Sequence, residues 1–229
     1  MLKRSLIGCV LITCMVVLVL LRWHLGAQKA SLLPKTVCER IKNKRYTQIV
    51  ELGPVLPRAM CRTVIEEAEA YARDHGGWER DRHEDYPTTD IEATDIPSLV
   101  YPIHNLVYRE IVPKMAKVFH LDPTLLGIGE VFIAKYSTSE PNHQRRLKPH
   151  EDGSEFSFVV ALNDEFEGGG TRFVASDTVY RPSPGSAIAF CGKTTHEGLD
   201  VTHGTRYILT GFLRYGSPEG CSDSDSTDD

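Results

Sequence analysis

From Gly127 onward the chain reads as a run of short alternating segments with no helix between them: IGEVFIAKYS, FSFVVALN, TRFVA, SAIAFC and RYILTGFLRY. Turn residues separate them, and a triple glycine, Gly168–Gly170, follows one of them. Strand after strand at this spacing can bury its apolar sides only by folding into an antiparallel sandwich or barrel. A jelly roll closes such strands over a central site. Upstream the period changes. RAMCRTVIEEAEAYARDHGG carries Met60, Val64, Ile65, Ala68 and Tyr71 at helical spacing, opens after Pro57 and ends at Gly76-Gly77. A second helix is predicted over Ser98–Phe119, with Pro102 in its first turn and Pro113 dividing or kinking its interior. YTQIVELGPVL has strand character, and WERDRHEDYPTTDIEATDIP reads as a charged loop. The fold class is therefore α+β: a double-stranded β-helix (jelly-roll) core braced by N-terminal helices.

Within that sheet-forming half, KPHEDG places His150 and Asp152 two residues apart. Alternate side chains of a strand share one face, so both would point the same way. His196 supplies a second imidazole from a distant segment, and Arg206 follows it with a cation. An H-x-D pair alone is common and says little. Two His and one carboxylate around one point, with the other positions open, is the ligand set of non-haem Fe(II) oxygenases. Arg206 suits a second, anionic ligand, because its planar guanidinium pairs bidentately with a carboxylate. Other residues have blander readings. Gly168–Gly170 precede no helix and fit a tight strand connection rather than a phosphate loop. His143 and His203 read as solvated, Glu151 should point away from the metal, and Asn163 reads as a turn brace. Glu197 beside His196 does not complete H-E-x-x-H, which disfavours a zinc protease. Trp78 and Tyr86 lie in the charged loop, where a lid over a site is one reading.

KPHEDGSEFSFVVALN, FEGGGTRF, PGSAIAF, THEGL and GTRYIL resemble the catalytic domain of the 2-oxoglutarate- and Fe(II)-dependent dioxygenases. The likeness is closest to the procollagen lysyl hydroxylases, with prolyl 4-hydroxylases as wider relatives. It is strong over Val131–Leu213 and looser back to Val50. The resemblance implies His150, Asp152 and His196 as iron ligands and Arg206 as partner of the co-substrate's distal carboxylate. It also implies hydrogen bonds from Tyr136 and Thr210 to that carboxylate, although Tyr136 on strand pattern alone reads as core. Collagen-type prolyl 4-hydroxylases carry Lys at the Arg206 position, so Arg206 leans toward the lysyl-hydroxylase and oxygen-sensing branches without fixing the substrate. The implied reaction hydroxylates an unactivated C–H bond, of peptidyl lysine or proline, and yields succinate and CO2. Fe(II), 2-oxoglutarate, O2 and ascorbate are its implied cofactors. A dioxygenase acting on a small molecule or lipid head group, and a non-catalytic jelly-roll binding module, are the alternatives. Loss of a ligand normally marks the last of these, and here none is missing.

The chain has 229 residues and a net charge of −5. The tail after Ser217 holds Glu219, Asp223, Asp225, Asp228 and Asp229 and no base, so the body is nearly neutral and nucleic acid is not an expected partner. Ser5–Leu21 is uncharged and apolar, preceded by Lys3 and Arg4 and closed by Arg22 and Trp23. That length just crosses a bilayer. A signal anchor is preferred to a cleaved signal peptide because only Ala27 offers a cleavage site. The expected topology is single-pass type II, with the catalytic domain in the lumen of the endoplasmic reticulum or Golgi. Four cysteines outside the span, Cys38, Cys61, Cys191 and Cys221, allow three pairings. The expected organisation is a cytosolic N-terminus 1–4, an anchor 5–22, a stem 23–49, a helical support 50–125, a dioxygenase core 126–216 and an acidic, disordered tail 217–229.

Overall fold

A computed structural model describes residues 37–80, 82–83, 86–139, 144–216 and 221. The chain divides into two compact units, 1–39 and 40–229. The expected anchor, most of the stem and almost all of the acidic tail lie outside the described residues. Among those residues no helix is long and apolar enough to cross a membrane. Residues 37–42, at the end of the expected stem, are helical. The remainder of the description concerns the second unit.

The first half supplies two short strands and the helices. β1 spans Val50–Pro54 and α1 spans Arg58–Asp74, preceded by Pro57 as its N-cap. The buried stripe of α1 is Cys61, Val64, Ala68 and Ala72. It is rotated from the predicted face, leaving Met60, Ile65 and Tyr71 half-buried. The charged loop contains a strand the alternation did not reveal, β2 at Asp90–Glu92. The second predicted helix is three pieces: α2 (Pro97–Leu106), a π turn (Val107–Ile111) and α3 (Val112–Phe119). Pro113 has no N–H to donate back to the Arg109 carbonyl, and its ring crowds that carbonyl, so the helix widens one turn upstream. Pro102 sits inside α2 rather than at its start.

The second half is all strand: β3 (Leu126–Ser137), β4 (Leu147–His150), β5 (Phe156–Ala161), β6 (Phe166–Gly168), β7 (Thr171–Phe173), β8 (Thr178–Tyr180), β9 (Ser186–Cys191), β10 (His196–Gly198) and β11 (Val201–Tyr215). They form two antiparallel sheets. The larger has the order β1-β9-β5-β11-β3-β2, with β6 also paired to β11; the smaller has the order β4-β10-β7-β8. Phe132, Tyr136, Val159, Ile188, Val201 and Ile208 from the large sheet meet Phe173 of the small one in one core cluster, with Leu147 and Tyr180 packed against it. The helices cover the other face of the large sheet: Phe119 of α3 meets Phe156 at 5.1 Å, and Glu69 of α1 pairs with Lys135 at 2.8 Å. β5 is accordingly buried at every position. Gly168, Gly169 and Gly170 all have positive φ and turn β6 into β7, the tight connection the sequence suggested. Cys61 and Cys191 are free, buried thiols, which removes both from the pairings open to the sequence.

Candidate metal and anion site

The small sheet brings the imidazoles together by register. His196 opens β10 and lies directly opposite His150, the last residue of β4. Their rings are 4.3 Å apart. Asp152 lies beyond the end of β4, not within the strand, and its backbone N–H bonds the Gly192 carbonyl at 2.8 Å. The resulting ligand atoms all lie within 4.8 Å of one another. His150 Nε2 is 3.4 Å and His196 Nε2 is 3.7 Å from Asp152 Oδ1.

The surroundings set the tautomers. His150 donates its Nδ1–H to the Lys148 carbonyl (2.8 Å), and His196 donates its Nδ1–H to the Thr194 carbonyl (2.9 Å). A carbonyl only accepts, so Nδ1 carries a proton in each ring, and Nε2 is the nitrogen turned toward Asp152, the one that offers a metal its lone pair once it is deprotonated. Burial lowers the His196 pKa and the neighbouring His150 adds to it, against the pull of Asp152. Burial also opposes charge on His150, but its hydrogen bond to Asp152 outweighs this and raises its pKa. Burial disfavours the Asp152 carboxylate, yet His196, His150 and the Ser157 hydroxyl together hold its pKa below the ordinary value. Two neutral nitrogens and one carboxylate on one point can hold a divalent cation and leave positions open. Glu151 turns away, paired with Lys44 and accepting from Thr195, and Glu197 pairs with Arg172.

Arg206 enters the same cavity from β11, opposite Tyr136 on β3. It is 4% exposed. Its guanidinium donates to the Gly170 carbonyl (3.3 Å) and Thr171 Oγ1 (3.2 Å), both neutral, and lies 5.5 Å from the Tyr136 ring centre. Among the described residues it has no ion-pair partner. Burial accordingly pushes its pKa down. A buried cation without a counter-ion costs several kcal/mol by rough estimate, a cost that an anion in this cavity would offset. Thr210 is four residues along the same strand and lines the cavity, as does the buried Tyr136. The same cavity wall includes the apolar side chains of Leu147, Val159 and Ile208.

Some contributors were not singled out from the sequence. Ser157, fully buried, donates to Asp152 Oδ2 at 2.5 Å. One hydroxyl among the phenylalanines and valines of FSFVV was the available signal. His83 and Thr88 line the cavity together with Tyr86, whose ring is 5.1 Å from that of His150. The charged loop holding them lacks periodicity. Asn163 bridges the Thr205 carbonyl and the Tyr207 N–H, the brace expected of it. His203 is exposed, and His143 lies outside the described residues.

No family model matches the chain. Among curated proteins it is similar to procollagen-lysine,2-oxoglutarate 5-dioxygenase 2 of Homo sapiens, 33% identical over 171 residues, which is 70% of this chain and 23% of that protein. It is similar also to the multifunctional procollagen lysine hydroxylase and glycosyltransferase of Caenorhabditis elegans, 32% identical over 174 residues, 70% of this chain and 23% of that protein. The match thus spans about a quarter of the length of these relatives. Among solved structures, the viral collagen prolyl hydroxylase of Paramecium bursaria Chlorella virus-1, in its 2-oxoglutarate complex, superposes with a TM-score of 0.52 at 19% identity. That alignment covers 72% of this chain and 94% of that one. The α-ketoglutarate-dependent epimerase SnoN of nogalamycin biosynthesis gives 0.58 at 14% identity, over 86% and 92% of the two chains. Those superpositions establish a shared sheet-rich α+β fold with the jelly-roll oxygenases.

Proposed function

We propose that this chain is an Fe(II)- and 2-oxoglutarate-dependent dioxygenase that hydroxylates a peptidyl lysine or proline. One observation carries the reading: a buried guanidinium without a counter-ion shares an apolar-walled cavity with two imidazoles and a carboxylate poised for one cation. A dicarboxylate with a 2-oxo acid end answers both needs at once. In this reading His150, Asp152 and His196 hold the iron, and Arg206 binds the distal carboxylate. The Tyr136 and Thr210 hydroxyls complete the shell around that carboxylate. Iron, when bound there, supplies the oxygen chemistry that couples decarboxylation of 2-oxoglutarate to succinate and CO2 with hydroxylation of a C–H bond. The chain's own part is to orient the co-substrate and exclude water. Leu147, Val159 and Ile208 make part of the cavity wall apolar, which strengthens the Arg206–carboxylate pair.

The peptidyl substrate is supported by the relatives, which are named a procollagen-lysine,2-oxoglutarate 5-dioxygenase and a procollagen lysine hydroxylase and glycosyltransferase. The apolar run Ser5–Leu21 supports a type II anchor with a lumenal catalytic domain, and the family resemblance of the sequence supports ascorbate as the reductant that keeps the iron ferrous. The test is succinate formation by purified protein with Fe(II), 2-oxoglutarate and ascorbate. Peptides should gain one oxygen atom by mass spectrometry, and the gain should vanish in His150→Ala. Absence of turnover in every mixture, uncoupled turnover included, overturns the reading; coupling to a small molecule but to no peptide replaces the substrate class.

A further inference from the structure

The backbone of Asp152 and Gly153 is held by hydrogen bonds, and the side chain of Glu151 before them is anchored. Glu151 is gripped by Lys44 (2.5 Å) and Thr195 (3.2 Å). The Asp152 N–H donates to Gly192, and its carbonyl accepts from Lys193 Nζ at 3.3 Å. The Gly153 carbonyl accepts from Arg214 Nη1 at 2.7 Å. Freedom remains only in the side chain, above all in rotation of the carboxylate group, whose terminal torsion is broad. Rotation matters because a carboxylate can offer a metal one oxygen or both. A second oxygen on the cation would occupy a position that the co-substrate or O2 needs.

Two serines remove that freedom. Ser157 Oγ donates to Asp152 Oδ2, whereas Oδ1 is the oxygen facing both imidazole Nε2 atoms. An ionised carboxylate only accepts, so the single hydroxyl proton of Ser157 is committed to Asp152. The 2.9 Å contact between Ser154 Oγ and Ser157 Oγ must then run from Ser154 to Ser157. The result is a directional relay, Ser154 to Ser157 to Asp152, in which each hydrogen bond polarises the next. Ser154, Ser157 and Asp152 are 1%, 0% and 5% exposed, so bulk water does not compete. The relay also has a fixed base. The Gly192 N–H donates to Glu155 at 3.0 Å, and a Cβ on Gly192 would lie 2.2 Å from the Ser154 carbonyl. Ser157 points inward from a strand otherwise filled by apolar side chains, where a hydroxyl is costly unless it has a partner.

We infer that Ser157, supported by Ser154, is a positioning residue that keeps Asp152 a one-oxygen ligand and so preserves the open positions of the metal centre. The inference rests on the metal-binding reading above. Its test uses Co(II) alone on the full chain, titrated by calorimetry and by the intensity of the visible d–d bands, which report coordination number. Ser157→Ala should bind Co(II) roughly 10- to 100-fold more weakly, the usual cost of losing such a supporting contact, with altered band intensity. Ser157→Thr, which keeps the hydroxyl on a β-strand, should restore both. Ser154→Ala should give a smaller loss in the same direction. A purely structural role would lower thermal stability and leave the bands unchanged, so Co(II) affinity and bands like wild type in folded Ser157→Ala overturn the inference. If Ser157→Ala does not fold, Ser154→Ala decides, since it leaves Asp152 and Ser157 in place: unchanged affinity and bands overturn the relay. Failure of the wild-type chain to bind Co(II) overturns the metal centre itself, a different result.

Discussion

Arg206 is the residue whose chemistry is least explained by the protein around it. Its partners are a carbonyl and a hydroxyl, and no carboxylate among the described residues neutralises it. Arg206→Ala should therefore weaken 2-oxoglutarate binding by about 2–5 kcal/mol, the range for truncating one side of a buried charge pair. Calorimetry should show affinity for Mn(II) nearly unchanged, because none of the three candidate ligands touches the guanidinium. Equal loss of both would count against the assignment. The spacing of His150 and Asp152 was legible because side-chain alternation survives just past the strand end, where Asp152 still bonds Gly192. Ser157 was harder to read: a lone serine in a strand is unremarkable until its partner is known.

At the level of elements, the contact between α1 and the sheet turns on Glu69. Lys135 approaches its carboxylate at 2.8 Å, the Tyr207 hydroxyl donates at 2.5 Å, and Trp78 Nε1 donates at 3.4 Å. Burial works to raise the Glu69 pKa, but Lys135, Tyr207 and Trp78 outweigh it and the pKa is lowered. A carboxyl depressed in the folded state contributes stability that is complete above its unfolded pKa and is lost as pH falls through the folded one. Glu69→Gln should cost about 1–3 kcal/mol near neutrality and should flatten the acid limb of Tm against pH; an acid limb identical to wild type would refute this role. β11 carries a second sensitive point. The Phe158 ring lies over Gly211, where an added Cβ would fall 2.2 Å from the ring carbons. Gly211→Ala should overpack the sheet by about 1–3 kcal/mol, read as a shift in the urea midpoint at constant slope. Helix periodicity was legible for α1, yet the rotation of its buried stripe onto Cys61 and Ala72 was not, since the pattern does not say how closely a helix approaches its neighbours. Pro113 marked where the second helix would break, but not that the break would be a π turn.

Across the whole molecule, the two sheets divide the work. His150 and His196 lie on the small sheet and Arg206 on the large one. A co-substrate anchored at both ends would bridge the sandwich. Mn(II) and 2-oxoglutarate together should therefore raise Tm more than either alone, by mass action worth about 2.7 kcal/mol at a hundredfold excess over Kd. Arg206→Ala should keep the Mn(II) increment and lose the one due to 2-oxoglutarate; an unchanged second increment would place the anion elsewhere. By itself the sequence determined the fold class, because strand alternation and helical spacing are local consequences of backbone period. It also singled out two imidazoles, a carboxylate and a cation whose types belong together chemically. Only the tertiary structure decided that His196 lies opposite His150, that Arg206 is buried without a counter-ion, and that Ser157 meets Asp152. Each of these depends on register and packing between strands far apart in the chain, which no local pattern encodes.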